Sequence, residues 1–183
     1  MPKNAYKKVK LSNAICMWPK LFQAEEYMGK KNFAVTTLLD GVEDPNYKAL
    51  ISAVEATVGQ AYPGKPVEQV LRKFKGSRQS WPFREGDDGR ITICFKRKEE
   101  RGAPVVLDQK KQNIPCDAGL PYGGCFVNIV VTVCCYTQNG GGVTSYLEGV
   151  QLVREGDPLS GVKSDVKDDF DVVGDAPSAD DFL

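Results

Sequence analysis

The strongest constraint on the fold of this chain is a hairpin pattern near its C-terminal end. Residues 125–136 consist largely of β-branched, aromatic and cysteine residues, a composition typical of a long strand. The run Asn139-Gly140-Gly141-Gly142 follows, and glycine supplies the positive φ values that a tight reversal needs. Residues 143–154 then return with a second strand-like composition. The pattern predicts two long strands joined by a glycine turn.

Shorter strand patterns precede this hairpin. Residues 6–12 alternate between apolar and polar side chains, as in a half-exposed strand, and residues 32–39 are rich in β-branched and aromatic residues. Further strands are predicted at 90–98 and 105–108, whereas residues 13–31 are expected to be irregular. Five or six strands with one helical insertion favour a small barrel or sandwich.

The insertion is the part of the chain where the apolar spacing changes from that of a strand to that of a helix. Asp44 can cap the free N–H groups of a helix that begins at Pro45, a position where proline is tolerated. An apolar stripe at helical spacing follows, and a shorter stripe comes after Pro66, so the insertion is predicted over about 44–74. The first stripe comprises Tyr47, Leu50, Ile51, Val54 and Val58, and the second comprises Val67, Val70, Leu71 and Phe74.

The charges of the chain cancel in number but not in position. Lysine and arginine number 24, and so do aspartate and glutamate. Residues 164–183 contain seven aspartates and one lysine, a net charge of −6, so residues 1–163 hold 23 bases and 17 acids, a net charge of +6. Such asymmetry indicates nucleic-acid or membrane partners. Residues 160–183 lack a periodic apolar face and are predicted to form a disordered acidic tail after a domain at 1–159.

The composition argues against several classes of protein. The absence of histidine removes Ser-His-Asp, Cys-His and HExxH sites, and neither a GxxxxGK(S/T) nor a GxGxxG motif is present. The six cysteines form no CxxC pair and are expected to be free thiols in a reducing cytosol. No run of about 18 apolar residues exists, so a membrane helix is not expected. We predict no catalytic residue, no metal and no cofactor.

Aromatic and basic residues recur together along the body of the chain. Binding of single-stranded nucleic acid needs cations that follow the phosphates and flat side chains on which bases stack. Trp81 lies in a polar connection with Arg78 and Arg84, which makes it the foremost candidate. The alternative for each aromatic residue is a place in the core, and for each charged cluster a solvated strand end. The further candidates are Trp18, Lys20, Lys30, Lys31, Lys96, Arg97, Lys98 and Tyr122.

The tail combines acids with an apolar tip. Its aspartates resemble a strand of phosphates in charge density, so the tail is expected to occupy a basic groove until DNA displaces it. The released tip is then predicted to bind a partner protein. A tail that serves solubility alone is the alternative. The predicted partner-binding residues are Asp180, Asp181, Phe182 and Leu183.

Three parts of the chain share the layout of a known family. The most specific is the C-terminal hairpin with its exit, residues 123–128 followed by 147–159. The others are the N-terminal blocks 9–12, 18–22 and 33–39 and the acidic tail. In these parts the chain resembles the OB-fold single-stranded DNA-binding proteins of tailed bacteriophages. It departs from that family at its end, where a leucine stands in place of the expected phenylalanine.

The resemblance implies a mainly β, five-stranded OB barrel with a helical insertion, sequence-tolerant binding of single strands, and a tail that recruits replication proteins. It therefore predicts a non-enzymatic protein that protects and organises single-stranded DNA in phage replication or recombination, in the cytoplasm of the infected bacterial host. The expected partners are single-stranded DNA, phage or host replication and recombination proteins, and a second copy of the chain. A phage structural or assembly protein and a metal-dependent nuclease remain as alternatives.

Overall fold

Residues 3–159 are described by a computed structural model of the protein. They form seven strands, two α-helices and a single turn of 3-10 helix at Glu99–Arg101. The strands are β1 (Ala5–Tyr27), β2 (Lys30–Leu39), β3 (Arg84–Glu85), β4 (Ile91–Lys98), β5 (Val105–Leu107), β6 (Phe126–Tyr136) and β7 (Gly142–Arg154), and the helices are α1 (Pro45–Ala61) and α2 (Val67–Lys75). The predicted acidic tail at 160–183, with its partner-binding residues Asp180, Asp181, Phe182 and Leu183, lies outside the described residues.

The strands close into a barrel. Their order in the sheet is β3-β4-β2-β1-β6-β7-β5, and all neighbours are antiparallel except β5 and β7. An additional parallel pairing between Lys96 on β4 and Tyr146 on β7 joins the two ends of the five-stranded ring β1, β2, β4, β7 and β6. We call this junction the seam. The predicted OB-fold barrel with a helical insertion is therefore confirmed, and both helices lie between β2 and β3.

The core follows from the alternation of the strands and from one face of each helix. Every second residue of β6 from Val127 to Val133 is almost fully buried, because adjacent side chains of a strand point to opposite faces. On α1, Leu50, Val54 and Val58 are buried, as the predicted stripe requires. Full burial of one such side chain contributes about 1.5–3 kcal/mol. The apolar faces of both helices thus pack into the same core as the inward-facing side chains of the barrel.

Strand β1 is the main departure from the sequence-based expectation. The segment 13–31 was expected to be irregular, but β1 continues to Tyr27. It pairs first with β6 and then with β2, and its register shifts three times, with positive φ values at Asn13 and Trp18. Such irregularities interrupt the two-residue alternation from which a strand is recognised, so the expectation was wrong at this point.

Candidate nucleic-acid interface

A row of four paired residues crosses the outer surface of the barrel. Lys8 on β1 pairs with Thr132 on β6, and Thr132 pairs with Tyr146 on β7. Tyr146 pairs with Lys96 on β4 at the seam. Directly paired residues of adjacent strands lie on the same face, and Phe95 beside Lys96 is fully buried, so the row faces outward. The register of four strands therefore places a tyrosine between two lysines.

Tyr146 stands in a cluster of polar and aromatic side chains. Burial is the main cause that raises the pKa of its phenol, and Cys134, Tyr6 and Tyr136 raise it further. Arg101 is close enough to lower that pKa in part. The phenol therefore stays protonated at neutral pH. Tyr146 lines one open space together with Tyr136 and another together with Tyr6 and Arg101.

A groove of about 640 Å³ opens beside this row. Its floor consists of the outer faces of β4 and β7, and its wall is the connection between α2 and β3. We call it the tyrosine groove. The aromatic and charged residues and the cysteine that line it are Arg78, Trp81, Arg84, Cys94, Lys96, Tyr136 and Tyr146.

Trp81 forms part of the wall of this groove and is half-buried. Its ring packs against Phe83 with a centroid distance of 5.0 Å, and Phe83 makes an edge contact of 5.4 Å with Tyr47 of α1. The Lys75 ammonium lies 5.3 Å from the centroid of the indole. The tryptophan is therefore held in place by the helical insertion while its remaining surface lines the groove.

The wall is attached to the end of the β6–β7 hairpin. The Ser80 hydroxyl donates to the Gly141 carbonyl at 2.9 Å, and the Val143 N–H donates to the Ser80 carbonyl at 2.9 Å. A Cβ atom at Gly142 would lie 2.8 Å from the Ser80 Cα atom, closer than two carbon atoms can approach. Glycine at this position therefore permits the contact that fixes the wall against the floor.

Arg84 belongs to the groove, but its guanidinium is engaged by the protein itself. It donates to the carbonyl oxygens of Trp81, Phe83 and Arg78, the last at 2.7 Å. These three carbonyls belong to one bend of the chain, so the guanidinium holds that bend together. Arg78 makes no ion pair or side-chain hydrogen bond among residues 3–159.

Arg97 is engaged in a similar way at the seam. Its guanidinium donates to the Gly102 carbonyl at 2.8 Å, the Arg101 carbonyl at 2.9 Å and the Leu147 carbonyl at 3.3 Å. It also pairs with the Glu148 carboxylate at 3.2 Å, and the side chain of Arg97 is only 16% exposed. Arg97 therefore ties the turn after β4 to β7.

Three other predicted lysines meet at a different place. Lys30 and Lys31 begin β2, and they line a hollow together with Lys98 at the end of β4. This hollow also contains three glutamates, which reduce its positive charge. The glutamates are Glu26, Glu99 and Glu100.

The remaining predicted residues lie apart from the tyrosine groove. Trp18 is 64% exposed at an irregularity of β1, where its backbone lies next to Gly123. Lys20 forms an ion pair with Glu25 at 2.6 Å. The Tyr122 hydroxyl donates to the carbonyl of Gly156 at 2.8 Å, and its ring packs against the core.

Sequence reasoning missed the tyrosines of the groove and one end of the paired row. Tyr6 and Lys8 carried a signal, because they occupy alternate positions of a predicted strand and so share one face. Tyr136 and Tyr146 lie on the predicted hairpin, but the pairing that sets Tyr146 opposite Lys96 of β4 depends on the closure of the barrel.

Within residues 3–159, no helix has the length and apolar character to cross a membrane. The same part of the chain contains no cluster of three or more cysteine, aspartate or glutamate residues that would suit a metal ion. The sequence contains no histidine to add to such a cluster. The side chains that line the tyrosine groove supply aromatic rings, cations, hydroxyl groups and one thiol.

Residues 7–183 match the family model described as the single-stranded DNA-binding protein of Enterobacter phage Enc34. The chain belongs to this family. Protein p50 of Acyrthosiphon pisum secondary endosymbiont phage 1 is 26% identical over 160 residues, which cover 84% of this chain and 87% of that protein. The predicted resemblance to phage single-stranded DNA-binding proteins is confirmed.

Solved structures share the fold. The single-stranded DNA-binding protein of bacteriophage Enc34, in complex with single-stranded DNA, has a TM-score of 0.64 at 19% identity, over 83% of this chain and 89% of that one. The gp2.5 single-stranded DNA-binding protein of bacteriophage T7 has a TM-score of 0.57 at 20% identity, over 95% of this chain and all of that one.

Proposed function

We propose that this protein binds single-stranded DNA in the tyrosine groove, as a non-enzymatic binding protein. The observation that carries the proposal is the joint placement of aromatic rings and cations in one open groove of a barrel whose family binds single strands. Tyr146 and Trp81 offer surfaces on which bases stack, at about 1–3 kcal/mol per base. Lys96 and Arg78 neutralise phosphates.

The same arrangement explains why binding should tolerate any sequence. Every base has a flat face that can stack on a tyrosine or tryptophan, and a lysine receives any phosphate. The Arg84 guanidinium, which has the planar geometry for reading a guanine edge, donates to three backbone carbonyls instead. We therefore expect contacts with the backbone and the base faces to dominate.

Two cysteines provide a direct test of the site. Cys94 is exposed and lies in the tyrosine groove, whereas Cys116 is exposed and does not line it. We expect saturating oligo-dT to slow maleimide alkylation of Cys94 and to leave Cys116 unchanged, as measured by peptide mass spectrometry. Burial raises the pKa of Cys16 to about 12 and that of Cys135 to about 11, so these thiols should not react without unfolding.

The outcomes of this experiment separate the alternatives. If bound DNA protects Cys94 and Cys116 equally, or protects neither of them, the DNA does not bind in the tyrosine groove. An absence of binding to any oligonucleotide would favour a structural or assembly protein. Degradation of the oligonucleotide after addition of Mg²⁺ would indicate a nuclease.

The affinity for single-stranded DNA should also fall as the salt concentration rises. The slope of log affinity against log salt concentration should be about −0.7 for each phosphate contact.

The proposal extends to the biological role. We propose that residues 1–159 are the DNA-binding domain, and that the protein protects and organises single strands during phage replication or recombination in the cytoplasm of the infected host. Residues 160–183 would act as a separate acidic tail. Its net charge of −6 over 164–183 complements the net charge of +6 over 1–163, which supports competition between tail and DNA.

Deletion of residues 164–183 tests the role of the tail. We expect tighter DNA binding at low salt and loss of binding to phage or host replication proteins. A variant in which the seven aspartates of that segment are replaced by asparagine keeps the length and the apolar tip. If charge competition is the cause, this variant should bind DNA as tightly as the deletion does. Unchanged affinity in both variants would contradict the competition.

We further propose that the protein forms a homodimer, which the family resemblance implies. Sedimentation equilibrium of the full chain, with and without DNA, tests this point. A mass of two chains in both conditions is the expected result. A single-chain mass across a wide range of protein concentration would contradict it without affecting the proposed DNA site.

A further inference from the structure

A second hollow of about 540 Å³ adjoins the tyrosine groove. The two share Tyr146. We call this second space the seam hollow, and its lining includes Tyr6, Lys8, Arg101 and Thr132. Because one side chain borders both spaces, the outer surface of the barrel is continuous from β4 to β1.

The charge of the seam hollow becomes positive once its internal pairs are counted. Glu148 is paired with Arg97 at 3.2 Å, and Glu100 lies 3.8 Å from Lys98. Lys8 and Arg101 also line the hollow, and neither has a carboxylate partner among residues 3–159. The two acids are thus offset by two bases, and two further bases remain to attract an anion.

The hollow also repeats the chemistry of the tyrosine groove. Tyr6 is 57% exposed and lines the seam hollow together with Tyr146, so it offers a second ring on which a base can stack. Lys8 lies three strands from Lys96 along the paired row, about 14 Å at the usual spacing of strands. Cation, ring and cation therefore recur in one direction across the barrel.

We propose that a bound single strand continues from the tyrosine groove across the seam, where Lys8 and Arg101 receive its phosphates and Tyr6 stacks on a base. This inference rests on the proposed function and adds the direction and the length of the binding path. A protein that binds in the tyrosine groove alone needs only a short oligonucleotide. The seam hollow should be reached only by a longer one.

The test compares two lengths of oligo-dT, of about four and sixteen nucleotides, the two ends of the range for OB folds. The double variant Lys8→Ala/Arg101→Ala is expected to lose about tenfold in affinity for the longer oligonucleotide, with a salt slope smaller by about 1.4. Its affinity for the shorter one should not change. Protection of Cys94 shows that the short oligonucleotide occupies the tyrosine groove.

The matched control is Lys7→Ala/Lys110→Ala, which removes two exposed lysines that line neither space. It should leave the affinity for both lengths nearly unchanged. Equal loss for both lengths in the Lys8/Arg101 variant, or no loss for either, would overturn the continued path. If wild-type protein fails to bind both lengths, the proposed function itself is wrong, so the two failures are distinguishable.

Discussion

Lys96 and Arg97 are neighbours in β4, yet the seam uses them in opposite ways. The Lys96 ammonium lies on the outer surface in the tyrosine groove, without an ion pair among residues 3–159. The Arg97 guanidinium points to the turn after β4 and to β7, where three carbonyls and one carboxylate accept its hydrogen bonds. Lys96 is therefore available to a ligand at the surface, whereas Arg97 stabilises the closure of the barrel.

The difference shows that a cation count overstates the charge available to a ligand. The aromatic–basic pattern predicted both Arg84 and Arg97 as DNA-binding residues, but both donate mainly to backbone carbonyls. A guanidinium has five donors in a fixed fork, so it can bridge several carbonyls, whereas an ammonium acts as a compact point charge. In this fold Arg84 and Arg97 each hold a bend of the chain, whereas Lys96 remains on the open surface.

The largest effect is expected at the shared tyrosine. Tyr146→Ala should weaken single-stranded DNA binding by about 1–3 kcal/mol, or roughly 5- to 150-fold, because a stacked base loses its platform. Fluorescence anisotropy of labelled oligo-dT measures the change. Tyr146→Phe keeps the ring and should bind normally; a comparable loss in that variant would show that the hydroxyl, not stacking, is responsible.

The second largest effect is expected on protein stability, and it distinguishes Arg97 at the seam from cations on the open surface. Arg97→Lys keeps the charge but loses most of the bridging hydrogen bonds, so the free energy of unfolding should fall by about 1–2 kcal/mol. Urea unfolding measures it. Arg78→Lys is the control, since Arg78 makes no such bonds within residues 3–159, and its stability should not change. Equal stability of the two variants would break the distinction between seam and surface.

Lys96→Gln should weaken DNA binding and leave the stability of the protein unchanged, the reverse of what is expected for Arg97→Lys. The salt slope of DNA binding should decrease in magnitude by about 0.7, which corresponds to one lost phosphate contact. Its stability should stay within about 0.5 kcal/mol of the wild type, as for other surface substitutions. Lys110→Gln removes an exposed lysine outside the groove and should leave the slope unchanged. A larger loss of stability than in Arg97→Lys would reverse the assignment.

The smallest effect is expected at Lys20. Its exposed ion pair with Glu25 contributes less than about 1 kcal/mol, so Lys20→Gln should scarcely alter the unfolding midpoint. The salt slope of DNA binding should also remain the same, because Lys20 lines neither the tyrosine groove nor the seam hollow. A slope reduced by the amount expected for Lys96→Gln would extend the interface along β1.

Part of the fold could be predicted because its signals are local. The glycine run between two β-rich segments fixed the β6–β7 hairpin, and Asp44 caps α1 through a hydrogen bond of 2.8 Å to the Asn46 N–H. The expectation failed at β1, because a strand that shifts register and changes partner does not keep a two-residue period.

The candidate site divides in the same way. The pattern of the sequence determined the barrel strands other than the second half of β1, the helical insertion and the presence of aromatic residues beside cations. It also placed Trp81 beside Arg78 and Arg84. Only the tertiary structure decided that Lys96 meets Tyr146 and that Arg97 reaches Glu148, 51 residues away along the chain. Closure of the barrel brings these residues together, and no local period encodes a contact between strands so far apart in sequence.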